Sequence, residues 1–177
     1  MRKAFINLVL ILIGLVIYFL QSNFFSWFSI SGIKPNLFVI YILFIGLFGN
    51  RSMGILYGAV CGILLDLLWS GIVGPNMIGL VVVGSVAIIF NRNFSKDSRI
   101  TIMLMVLGST LIFEIIYCFI NYIIYSSNIE ILYFIRILFI ELIYNILITI
   151  IMYSLINKFG YYIENEYKGN KILTRYF

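Results

Sequence analysis

The chain contains no histidine. That removes the commonest general base and a principal metal ligand together. Cysteine is scarce as well. Cys61 and Cys118 are the only two, set in separate apolar runs. They read as small packing residues, with neither a disulfide framework nor a zinc site indicated. Charge is thin, at 11% of residues, with seven acids in all. There is no Gly-x-Ser-x-Gly, no Walker lysine motif, no His-Glu-x-x-His and no dense aspartate cluster for metal-assisted phosphoryl transfer. Of the acids outside the apolar runs, Asp97, Glu164 and Glu166 form no recognisable catalytic constellation. These absences argue against an enzyme and leave no expected cofactor or metal.

What the chain has in abundance is apolar surface. Hydrophobic residues make up 63% of its 177 positions, and Phe, Tyr and Trp alone 18%. A soluble domain of this size could not hide that much, so the class is all-α, a polytopic membrane protein. The net charge of +5 does not indicate nucleic acid. Its basic residues are scattered between apolar runs instead of forming one face, and they read as topology signals.

Six spans are expected. Met1-Arg2-Lys3 before Ala4–Leu20 resembles a signal peptide, but no small-residue cleavage site follows, so an uncleaved first span is read. Gln21–Lys34 is a connecting segment in which Phe24, Phe25, Trp27, Phe28 and Ile30 fall at helical spacing, suited to the membrane interface. The second span, Pro35–Gly49, has only about 13 strictly apolar residues, roughly 20 Å against a core of about 30 Å. Met53–Trp69 is the third span, Met77–Phe90 the fourth, Ile100–Tyr125 the fifth and Ile131–Ile156 the sixth. Residues 1–156 thus form the membrane domain, and 157–177 a basic cytoplasmic tail whose lysines suit anionic lipid. With both termini inside, ten of the twelve Lys and Arg residues lie on the cytoplasmic side; only Lys34 is outside, and Arg136 is within a span.

Gly54, Gly58, Gly62 and Asp66 follow at four-residue intervals along the third span. Such glycines let a neighbouring backbone approach closely. A carboxylate inside a span costs about 2.5–3.5 kcal/mol, so Asp66 should face protein or water. Glu114, Arg136 and Glu141 are the other intramembrane charges. Asp66 and Arg136 are expected at similar depth, where they could pair, and Glu114 and Glu141 nearer the midplane. Glu141, Asn145 and Thr149 form one stripe on the sixth span. Three readings stand side by side: an ion or substrate path, a polar seam joining the third, fifth and sixth spans, and a carboxylate meant for a partner helix.

Lys34-Pro35-Asn36, then Gly54, Gly58-x-x-x-Gly62-x-x-x-Asp66 and Gly74, resembles the pattern of the rod shape-determining protein MreD family. Ala59 departs from it, since the family often has an aromatic residue there. The resemblance implies a fold similar to the substrate-binding subunits of energy-coupling-factor vitamin transporters. It also implies a non-enzymatic scaffold in the bacterial cytoplasmic membrane, serving cell elongation and lateral peptidoglycan synthesis. The implied partners are an MreC-like bitopic coiled-coil protein and, through it, an MreB-like actin filament, a RodA-like glycosyltransferase and a class B penicillin-binding protein. On this reading Pro35, Asn36, Gly54, Gly58, Gly62, Asp66 and Gly74 form a helix-packing or partner face, and Asp66, Glu114, Arg136, Glu141 and Asn145 an intramembrane polar network. The other reading is a vitamin-transporter subunit, which would need an outward pocket carrying several polar groups. Short outer loops offer little to grip a ligand.

Overall fold

The computed structural model describes residues 2–50, 52–125 and 130–168. They form six helices with no strand among the described residues: α1 Arg2–Trp27, α2 Leu37–Phe48, α3 Met53–Trp69, α4 Pro75–Asn93, α5 Arg99–Tyr125 and α6 Ile131–Lys168. Four of them, α1, α4, α5 and α6, are long and apolar enough to cross a membrane; α2 and α3 are shorter apolar helices. Large apolar side chains such as Leu8, Leu15, Val60, Phe119 and Leu155 are exposed on the outside, while polar ones such as Asp66, Asn145 and Thr149 are fully buried. That inversion is what a lipid solvent selects.

The short second helix has a physical explanation. Every residue of α2, from Leu37 to Phe48, is buried, and the helix packs against each of the other five. Its 12 residues reach about 18 Å, well short of a bilayer core. A helix walled by protein has no lipid to match, so it need be neither long nor amphipathic.

Several boundaries differ from the sequence expectation. The aromatic segment Phe24–Phe28 is not a separate interfacial helix. Its first four residues are the last turns of α1, which continues through a π-helical turn at Leu20–Phe24. Nothing between Gln21 and Trp27 breaks a helix, and the π turn absorbs the change of register. The chain reverses beyond it in a tight turn where Ile30 and Ile33 exchange backbone hydrogen bonds, with Ser31 and Gly32 at φ of 54° and 80°. α4 begins at Pro75 instead of Met77, with proline in the first turn, where its missing N–H costs nothing.

α6 continues through the expected boundary at 156/157 to Lys168, 38 residues in all. Its last turns dock on the bundle. Gly160 sits against the Phe48 ring, Ile163 is buried, and Glu164 pairs with Lys96 at 2.8 Å. Tyr161 Oη donates to Asp97, Tyr167 Oη donates to Asn7 at 2.7 Å, and Arg2 meets Glu166 at 3.2 Å. Lys171 and Arg175 of the expected tail lie outside the described residues.

Candidate functional site

The glycine stripe of α3 lies against α4. A Cβ on Gly58 would stand 2.5 Å from the carbonyl oxygen of Leu80, and one on Gly62 2.3 Å from Cα of Met77. At Gly54 it would meet Cα of Gly46 at 2.8 Å and Cα of Gly84 at 3.3 Å. The backbones of α2, α3 and α4 therefore converge at Gly46, Gly54 and Gly84, and only hydrogen fits there. The helix that settles there belongs to the same chain. The stripe's glycines are spent on internal packing.

Asp66 completes that hairpin. Its carboxylate is fully buried and accepts four hydrogen bonds from the start of α4: Gly74 N–H at 2.8 Å, Asn76 N–H at 2.9 Å, Asn76 Nδ2 at 2.8 Å and Met77 N–H at 3.0 Å. A helix N-terminus offers unpaired N–H groups and a positive dipole end, so a carboxylate there is stabilised where lipid would penalise it. The backbone carbonyl of Asp66 accepts from Gly71, which sits at φ 70° and ends α3. Gly74 stands at φ 156°, a conformation open to glycine, and so delivers its N–H to the carboxylate.

The expected pairing of Asp66 with Arg136 does not form. Arg136 is exposed and donates to Ser31 Oγ in the turn after α1. Depth along the helices placed the two at one level, but Asp66 turns inward and Arg136 outward. Asp66 thus leaves the polar seam, which joins α2, α5 and α6 instead of the third, fifth and sixth helices. Asn145 is its centre: Oδ1 accepts from Asn36 N–H at 2.9 Å, and Nδ2 donates to Thr110 Oγ1 at 3.0 Å. Thr149 donates to the Asn145 carbonyl at 2.7 Å. Asn36 also caps α2 by accepting from Val39 N–H at 3.3 Å, beside a buried Pro35. Gln21 was not singled out in the sequence. It is buried, and its Oε1 accepts from Leu37 N–H at 3.0 Å. Its position immediately after the apolar run Ala4–Leu20 made it look like surface.

Glu114 and Glu141 do come together, side by side across the α5–α6 contact within hydrogen-bonding reach. Both line a cavity of about 370 Å³ that also takes in Asn36, Trp69, Asn76 and Tyr117. The sequence offered no outward pocket because its loops are short. Helix walls, not loops, make this one.

These features have a family context. Searches among curated proteins and among solved structures returned no match. The family model described as rod shape-determining protein MreD matches residues 1–163, a stretch holding all six helices but the last residues of α6. The chain belongs to the MreD family of rod shape-determining proteins.

Proposed function

We propose that this protein is a non-enzymatic scaffold subunit of the bacterial cell-elongation complex, seated in the cytoplasmic membrane with both termini inside. It binds an MreC-like bitopic coiled-coil protein and through it supports lateral peptidoglycan synthesis by RodA-like and class B penicillin-binding partners, in register with an MreB-like filament. The observation that carries this reading is the family match over residues 1–163. Around it stands a bundle whose outside is apolar and whose polar groups are turned inward.

The internal use of the glycine stripe relocates the contact. A partner span cannot enter between α3 and α4 without expelling a helix of this chain. It docks on the outer face instead, and α1 is, with α6, one of the two long helices least covered by their own chain. Of α1's residues between Arg2 and Phe19 only Ile6 and Leu10 are buried, leaving Leu8, Ile11, Leu15 and Phe19 exposed. Co-expression of tagged protein with its MreC-like neighbour tests the reading. Co-purification is expected, and it should fall at least tenfold when Leu8, Ile11 and Leu15 are replaced by bulkier Trp, with the protein still folded. Recovery of no MreC-like protein by the unmodified chain would contradict the scaffold assignment.

A further inference from the structure

The cavity between α2, α3, α4, α5 and α6 brings two buried carboxyl groups together. Glu114 and Glu141 are each 6% exposed, and their carboxyl groups adjoin. Two buried carboxyls in contact need a positive third party, a proton or a cation. The amides of Asn36 and Asn145 approach the Glu141 carboxyl, yet its Oε1 accepts no hydrogen bond from an N–H or hydroxyl donor among the described residues. A buried acceptor without a donor costs about 1–3 kcal/mol. Among the described residues no Lys or Arg lines the cavity, and Arg136, the nearest candidate by sequence, is engaged by Ser31 on the outside. Around the carboxyls stand the rings of Trp69, Phe113, Tyr117, Tyr122, Tyr133 and Phe134. Aromatic faces attract cations, at about 2 kcal/mol or more when water is excluded. Glu130 adds a third carboxyl group to the lining, and Asn36, Asn76 and Asn121 bring amide groups to the same walls.

We propose that this cavity binds a primary ammonium group, seated on the Glu114–Glu141 pair and flanked by the aromatic walls. A volume of about 370 Å³ falls within the range of small-molecule sites. Aromatic walls, inwardly paired acids and an unfilled acceptor together suit an organic ammonium better than a hard metal ion, which seeks a shell of oxygens. The ammonium could come from a free amine or from the headgroup of an aminophospholipid; the recognition chemistry is the same. This inference is independent of the scaffold assignment, and its failure would leave that assignment standing.

The test uses the full chain in nanodiscs of phosphatidylglycerol, which carries no amine. Trp27→Phe leaves Trp69, in the cavity wall, as the sole tryptophan. Phenethylammonium chloride is titrated while Trp69 fluorescence is read, with 2-phenylethanol as the uncharged control. A saturable change is expected for the ammonium, at least tenfold weaker for the alcohol and for Glu141→Gln. Glu114→Gln serves as the second variant, and thermal unfolding by circular dichroism shows that each variant is folded. In discs containing phosphatidylethanolamine, a several-fold loss of apparent affinity makes the lipid headgroup the occupant, and unchanged affinity makes it a free amine. No saturable change, an equal response to the alcohol, or binding unaltered in both folded glutamine variants would overturn the proposal and leave the pair holding a proton.

Discussion

At the scale of single residues, Asp66 illustrates how an ionisable group survives at membrane depth. Four N–H donors from one helix start converge on its carboxyl group, three from the backbone and one from the Asn76 side chain. Asp66→Ala would leave the buried Asn76 N–H and the half-buried N–H groups of Gly74 and Met77 without this acceptor. The expected loss is about 3 kcal/mol, with about 1–2 kcal/mol for Asp66→Asn, which keeps one acceptor oxygen. Thermal unfolding in detergent measures both, and an alanine variant as stable as the parent would remove Asp66 from the cap. Gly58→Leu is expected to fail earlier, at folding, because the obstacle is backbone: the Leu80 carbonyl at 2.5 Å cannot rotate away. Monodisperse recovery on gel filtration should drop sharply, whereas Gly14→Ala, facing only ordinary contact with Tyr41 at 3.7 Å, should be tolerated. Much of this was legible in the sequence. Glycine at four-residue spacing announces close approach, and a carboxylate in an apolar run announces an inward face. What the spacing could not supply was the identity of the neighbour, because Gly46, which meets Gly54, is the single glycine of α2, and Gly84, which also meets it, is five residues from Gly79 in α4 and so follows no four-residue pattern.

At the scale of elements, the long sixth helix binds two regions that looked separate. Beyond Ile156 it carries Tyr161, Glu164 and Glu166, which reach the α4–α5 loop and the start of α1. The alternation of charge with aromatic residues read as a tail because each apolar side chain there meets one neighbour, not a continuous face. The bonds from Tyr161 and then Ser95 hold the Asp97 carboxyl below the usual aspartate range. A lowered folded-state pKa gives stability that is complete above the ordinary value of about 3.9 and fades as pH falls through the folded value. Docking of the α6 end should therefore be indifferent to pH from 8 to 5 and weaken only below about 4. Hydrogen exchange at residues 158–167 across that range measures it, and loosening between pH 7 and 5 would place the control elsewhere. Helix ends were the least legible feature for a related reason. α1 outran its expected end because a π turn has no composition signature, and α4 began early because Pro75 opens a helix as readily as it closes one.

At the scale of the whole molecule, the arrangement is one buried helix ringed by others, with a tightly packed hairpin on one side and a polar cavity between helix walls. Composition alone made the membrane class legible, since nothing else accommodates 63% hydrophobic residues at this length. The cavity was not legible. Its walls come from five helices, and no local pattern relates Asn36 to Glu114 or Glu141. The basic-residue bias predicts the sidedness: a reporter active only outside the cytoplasm should be silent when fused after Lys96 and active after Glu130. Activity after Lys96 would invert the bundle. The central claim, a structural role in cell elongation, is tested most directly by depleting the protein in its own cells and imaging cell width and length. The account predicts that rods widen and round up before growth stops, with new wall material no longer inserted along the sides. Rods of unchanged width after the protein has disappeared would contradict it.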